Sequence, residues 1–201
     1  MFLFLDVASP IPEFHLFDDK KIIYSIKITA DTNKKLSDNI IPTYLKINKA
    51  YNLANKITNL IITTGPGSYT ALRIGSSFIA GLSQSMNLPV CEISSKTIYD
   101  FLYDTDTQMG IYFESSNNQK FFSYKKELNF IHEKIENEKY IFPKYISHFF
   151  YNFNPPLFIN KKIKTESFSI KNIILKSLNK LDLKKNTIIK PIYISNNIIL
   201  N

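Results

Sequence analysis

Thr64-Gly-Pro-Gly-Ser-Tyr-Thr-Ala-Leu-Arg-Ile-Gly75 is the stretch that decides how this chain folds. It stands out by contrast with its surroundings. Five residue types with A/T-rich codons (Ile 31, Lys 24, Asn 20, Phe 16, Tyr 12) supply 103 of the 201 residues, and 24 lysines stand against one arginine. In so biased a chain a cluster of Gly, Ala and Arg marks a place where chemistry or close packing demands them. Four of the five glycines lie between Gly65 and Gly81, with Ala71, Ala80 and the sole arginine, Arg73.

Leu60–Thr64 reads as a short β-branched strand, and Gly65 and Gly67 permit the sharp turn from strand to helix. Ser68 or Thr70 can cap the helix that follows, whose first N–H groups attract anions. That helix runs to about Met86. Ala71, Gly75 and Ser76 remove side-chain bulk, and two apolar rows remain: Leu72, Ile79, Leu82, Met86 and Ile74, Phe78, Gly81. A helix apolar on two sides is packed on two sides. One side takes a sheet, and the small residues let another helix approach, so Gly75→Leu is expected to spare the fold and abolish a partner contact. The rival reading is a phosphate loop, although neither GxxxxGK[ST] nor GxGxxG is present.

Working outward, Phe2–Ala8 is a near-continuous apolar run that fits a strand buried on both faces. Phe14–Phe17 and the alternating Ile22–Ile28 follow as two further strands of a meander. A helix begins near Ser37-Asp38-Asn39; Pro42 lies in its first turn, or bends the helix if the start is Ser37 itself. Its residues Ile40, Tyr44, Ile47, Tyr51 and Ala54 are spaced 4, 3, 4, 3, a helix-packing seam, and a second row carries Ile41 and Leu45. Leu88–Ile93 is the next strand, and Ser94 or Ser95 caps a short helix through Leu102. Gly110–Ser115 and Lys120–Tyr124 form a hairpin around residues 116–119.

The order β-β-β-α-β-α-β predicts an α/β chain: an actin-like or ribonuclease-H-like mixed sheet with helices in residues 1–103. Residues 104–201 form a reduced second lobe. There Tyr145–Tyr151 and Ile170–Leu181 read as helices, and Leu157–Ile159 and Ile188–Ile194 as strands. No internal repeat is visible.

The totals exclude several classes. Hydrophobics at 44% over 201 residues can build a proper core and do not describe a disordered chain. One cysteine excludes a disulfide framework and a CxxC zinc site. Met1–Asp6 lacks a basic flank and reads as a first strand, not a signal peptide, and no run approaches the ~20 apolar residues that span a bilayer. A soluble cytoplasmic protein is expected. The net charge of +8 is spread over scattered lysine pairs, as on a solvated surface. His15, His132 and His148 lie far apart without an HExxH or HxxxH pair, so no metal site is expected. Cys91 reads as a small buried hydrophobe.

Thr64–Gly75, continuing to Gly81-Leu82 and Pro89-Val90…Ser94-Ser95, closely resembles the TsaB (YeaZ) family signature GPGSFTGLRIG, with Tyr69 for Phe and Ala71 for Gly. Ser37-Asp-Asn-Ile-Ile-Pro42 resembles the family's HSExLLP helix start, with Leu36 in place of the His, and Phe2–Ala8 its opening ILAIDTS. The resemblance covers about residues 2–115. It implies an actin-like fold and a role in tRNA modification, the formation of threonylcarbamoyladenosine next to the anticodon. It further implies a non-catalytic subunit that binds a TsaD-like transferase through the helices at about 38–56 and 68–86. A TsaE-like ATPase joins the larger complex, and tRNA is met indirectly.

On this reading the partner interface comprises Ile40, Tyr44, Ile47, Tyr51, Ala71, Ile74, Gly75 and Phe78. Gly65, Gly67, Ser68, Thr70 and Arg73 form a structural turn able to take an anion. Arg73 reaches either across the interface or to a carboxylate of its own lobe. Asp6 and Ser9 are the candidates for nucleotide contact; Asp6 alternatively caps neighbouring backbone. The turn Asp6-Val-Ala-Ser-Pro-Ile-Pro12 departs from the family's Asp-Thr-Ser, because two prolines delete N–H donors where an actin-like ATPase wraps phosphate. ATP hydrolysis by the chain alone is therefore not expected, and no catalytic residue, metal or cofactor is assigned to it. ATP or ADP at the complex interface, and a homodimer of the chain alone, stay open. The alternatives are an autonomous actin-like small-molecule kinase or ATPase, and a tRNA-binding module.

Overall fold

Phe2–Asp6 (β1) is apolar on both faces because it lies at the centre of a sheet covered on both sides. The computed structural model describes residues 1–28, 35–102, 108–137, 140–156, 163–195 and 198–200. β1 pairs antiparallel with Glu13–Phe17 (β2), and β2 antiparallel with Ile22–Lys27 (β3). On its other side β1 runs parallel to Asn59–Gly65 (β4), and β4 parallel to Val90–Ser94 (β5). The order is β3-β2-β1-β4-β5.

Leu36–Tyr51 (α1) and the single turn Leu53–Lys56 (α2) cross from β3 to β4, and Tyr69–Met86 (α3) crosses from β4 to β5. α1 and α3 both end on an asparagine in the left-handed region, Asn52 (φ 53°) and Asn87 (φ 50°), a place glycine usually takes. This glycine-poor chain fills it with the next most tolerant residue. The start of α1 differs from expectation. It opens at Leu36 after an extended Lys35, with no side-chain cap, and Pro42 lies inside the helix. Pro42 is on the solvent side, where the carbonyl it leaves without a helical donor can meet water.

Ser95–Leu102 (α4) leads to a second sheet built from Met109–Glu114 (β6), Lys120–Lys126 (β7), Asn129–Ile135 (β8), His148–Tyr151 (β9) and Lys164–Ser167 (β10). β6, β7 and β8 form an antiparallel meander, β9 joins the free side of β6 in parallel, and β10 joins β9 in parallel. The order β8-β7-β6-β9-β10 therefore repeats β3-β2-β1-β4-β5. The chain carries a topological duplication that leaves no trace as a sequence repeat. Among the described residues the second set has no helix between β8 and β9 or between β9 and β10.

Three expectations for the second lobe change. Tyr145–Tyr151 is not helical; it contains β9, a central strand apolar on both faces. The helix read over Ile170–Leu181 is Ile170–Lys176 (α5) with a 3-10 turn at Leu178–Lys180. Of Ile188–Ile194 only the end is extended, in Tyr193–Ser195 (β11), which pairs with Ile198–Leu200 (β12). The strand read at Leu157–Ile159 lies outside the described residues.

The layers follow from strand alternation. Leu3, Leu5, Leu60 and Ile62 face α1 and α3. Phe4, Ile61, Cys91 and Ile93 point the other way, into a core shared with α4, α5 and Ile111, Phe113 and Phe121 of the second sheet. That sheet's outer face packs Tyr112, Phe122 and Phe149 beneath Phe142 and Ile146. The C-terminal segment then crosses back to the first lobe: Lys184 pairs with Val90, and the Ile192 N–H donates to the Thr64 carbonyl at 2.7 Å. Among the described residues no helix is long and apolar enough to cross a membrane.

Candidate functional site

Two places collect the residues singled out by the sequence: the turns at the carboxyl ends of β1 and β4, and the outer groove between α1 and α3. The turns come first because β1 and β4 lie side by side and deliver them together. Asp6, the last residue of β1, is 6% exposed. Its Oδ1 accepts from the N–H groups of Ala8 (3.0 Å) and Ser9 (3.2 Å) and from the Thr63 hydroxyl (3.0 Å). Its Oδ2 accepts from the Ser9 hydroxyl at 2.6 Å. Burial pushes the Asp6 carboxyl above its usual range, while these bonds pull it down.

Thr63 Oγ1 in turn accepts from the Val7 N–H (2.9 Å) and the Ala8 N–H (3.1 Å). The N–H groups of Val7, Ala8 and Ser9 are thus all engaged within the turn, and Pro10 and Pro12 have none. The geometry is that of a strand-end carboxylate capping its own backbone, with the N–H groups of residues 7–9 turned toward Asp6 and Thr63.

Gly67 is required by the neighbouring turn, because a Cβ there would stand 3.2 Å from Ala8 Cα. Gly65 has φ +104°, and a Cβ on it would lie 3.1 Å from the Ile192 carbonyl. Ser68 occupies the N-cap position of α3 and is buried, but its side chain makes no capping bond, contrary to one of the two roles expected for it. Thr70 and Arg73 do not join this turn. Thr70, in the first turn of α3, and Arg73, one turn further on, line the groove instead.

The groove, of about 510 Å³, runs between the first halves of α1 and α3. Its floor is aromatic: Phe78 meets Tyr44 at 5.5 Å and Phe14 at 5.7 Å, both edge-on. Ile40, Ile74 and Phe78 line it, as do Ser37, Ile41, Tyr69, Thr70, Arg73 and Ser77. Ile41 (54% exposed), Leu45 (56%) one turn further on and Tyr69 (54%) are the large apolar side chains this face leaves open.

Six of the eight expected interface residues are therefore buried or packed within the lobe itself. Ile40, Tyr44, Ile47 and Ala71 belong to the lobe's own core, Ile40 and Tyr44 at the base of the groove, and Tyr51 packs on Tyr24 at 5.2 Å. Gly75 is small for an internal reason: a Cβ there would come within 2.9 Å of both Val7 methyls. The row Ile41/Leu45 was visible in the sequence. Spacing alone could not say which of the two rows of α1 faces the sheet.

Arg73 carries the groove's electrostatics. Its guanidinium sits 5.3 Å from the Tyr69 ring centre and donates to the Tyr69 hydroxyl at 3.4 Å. Among the described residues it forms no ion pair. The remaining titratable candidates lie elsewhere. Burial keeps His15 and His132 neutral, down to about 3 and about 4, with serine hydroxyls on their Nδ1 atoms. Burial also pushes the Cys91 thiol up to about 11. Among the described residues no three of His, Cys, Asp and Glu are grouped so as to hold a metal ion.

A family model described as TsaD, tRNA N6-adenosine threonylcarbamoyltransferase, matches residues 25–146, which include α1 and α3. No curated protein matches the chain. Among solved structures, YeaZ from Pseudomonas aeruginosa superposes with a TM-score of 0.62 over 96% of this chain and 99% of its own, at 11% identity. A second Pseudomonas aeruginosa structure, an uncharacterized protein with similarity to peptidase YeaZ, gives 0.61 over 96% and 98%, also at 11%. The full-length correspondence fixes the fold as actin-like, with both sheets included.

Proposed function

The chain belongs to the TsaD family of tRNA N6-adenosine threonylcarbamoyltransferases, with the fold of YeaZ (TsaB) along its length, and on that basis we propose that it is the non-catalytic, TsaB-type subunit. In this role it docks a TsaD-like transferase on the α1–α3 groove and supports threonylcarbamoyladenosine formation in tRNA. The observation that carries the reading is the open apolar face of Ile41, Leu45 and Tyr69 over a rigid aromatic floor. An exposed apolar patch beside a formed groove is the usual mark of a protein-docking site.

The strand-end turns support the non-catalytic part of the proposal. An actin-like ATPase needs donors aimed at phosphate, and here Asp6 and Thr63 already hold the N–H groups of residues 7–9. The TsaE-like ATPase and tRNA enter through the larger complex, in the cytoplasm.

Capture from lysate of the source cell, with the tagged chain as bait, tests the docking. A TsaD-like protein recovered in near-stoichiometric amount, identified by its peptides, is the expected result. Its absence from the captured fraction, at salt low enough to keep weak complexes, would contradict the proposal.

A further inference from the structure

The sole arginine is held in a way that points outward. Arg73 lies over Tyr69, and Tyr69 is engaged from the C-terminal segment by Tyr193, ring centres 4.6 Å apart. Tyr193 is itself pinned. Beside it the Ile192 N–H donates to the Thr64 carbonyl, and the Lys190 N–H donates to the Glu92 carboxylate at 2.8 Å. The segment that returns from the second lobe thus buttresses the rim of the groove. A guanidinium fixed by an aromatic ring, and by no carboxylate among the described residues, keeps its planar fork free for a bidentate anion.

We propose that Arg73, positioned through Tyr69 by Tyr193, is the specificity-determining cation of the groove and receives a carboxylate from the docking helix of the partner. This rests on the docking reading above. The groove's composition favours a protein carboxylate over an RNA phosphate. Among the described residues Arg73 is the only charged one lining it, amid Ile40, Ile41, Ile74 and Phe78, whereas a nucleic-acid backbone is held by a track of several cations. Tyr69 is also already engaged by both Tyr193 and Arg73, which leaves it poorly placed as a platform for a base. A helix laid between α1 and α3 would set apolar ridges into the groove and bring an acidic residue to its Arg73 end.

The test is titration calorimetry of the full chain against the purified TsaD-like subunit at several ionic strengths. Arg73→Ala is expected to weaken binding about 30-fold or more and to flatten its salt dependence. Arg73→Lys, which keeps the charge but not the fork, should recover only part of the loss. Tyr193→Ala should weaken binding severalfold with the salt dependence reduced, while Tyr193→Phe binds like the wild type. Wild-type affinity and an unchanged salt slope in Arg73→Ala would overturn the inference and leave the docking reading intact, as would tight, steeply salt-dependent binding of tRNA by the chain alone that Arg73→Ala abolishes. No binding by the wild-type chain would overturn the docking reading and the inference with it.

Discussion

Replacing Ile41 and Leu45 together by glutamate is expected to leave the chain folded and to abolish its capture of a TsaD-like subunit. Both side chains are just over half exposed, so neither contributes much to the core. Covering each by a partner stabilises the complex by about 1 kcal/mol. The substitution removes that gain and adds two carboxylates that docking would strip of water, at several kcal/mol in all. A loss of 100-fold or more in affinity is the expected outcome, read by calorimetry, with an unchanged thermal midpoint by circular dichroism. Retained affinity would show that the partner binds elsewhere. Ile41→Ala/Leu45→Ala serves as the neutral control, with a smaller loss in the same direction.

Gly75→Leu is expected to destabilise the fold itself. From the sequence this glycine belongs to a helix–helix contact with a partner, and the structure reassigns it to the contact between α3 and the turn after β1. A Cβ alone would approach both Val7 methyls to 2.9 Å. Val7 cannot yield easily: it is fully buried, β-branched, and its N–H is bonded to Thr63. The remaining leucine atoms have no space, so α3 must lift from the sheet and disturb the Asp6–Thr63 bonds beside it. A cost of about 3 kcal/mol or more is expected, which lowers the thermal midpoint by roughly 6–12 °C in a chain of this size. Gly75→Ala should show a smaller share of the same loss. A wild-type midpoint for Gly75→Leu would contradict this placement.

The first lobe was legible because its strands and helices carry clean signals. β3 alternates, β1 is a short run apolar throughout, and the scarcity of glycine made Gly65 and Gly67 readable as the turn into α3. The second lobe was not, for physical reasons. β9 lies between β6 and β10 and is buried on both faces, so its apolar residues carry no period of two, and with Tyr145 and Ile146 they imitate a helix. β8 mixes His132, Glu133 and Lys134 into an edge strand whose register is visible only through its partner β7. The duplication is one of strand order, with no residue pattern to carry it.

At the site, the sequence carries residue types and spacing but not the direction each side chain takes. Two apolar rows on α1 are evident from spacing, yet only the sheet beneath decides that Tyr44 and Ile47 turn inward and Ile41 and Leu45 outward. The role of Tyr193 depends on the C-terminal segment crossing more than a hundred residues of sequence to reach Tyr69. No local pattern records such a contact.

In the proposed role this chain enables a transferase and does not itself perform the chemistry. Threonylcarbamoyladenosine formed in tRNA by the purified TsaD-like and TsaE-like subunits, measured with and without this chain, tests it most directly. Product that forms only when the wild-type chain is added, with no ATP turnover by the chain alone, is the predicted result. Equal product in its absence, or ATP hydrolysis by the isolated chain, would contradict the claim.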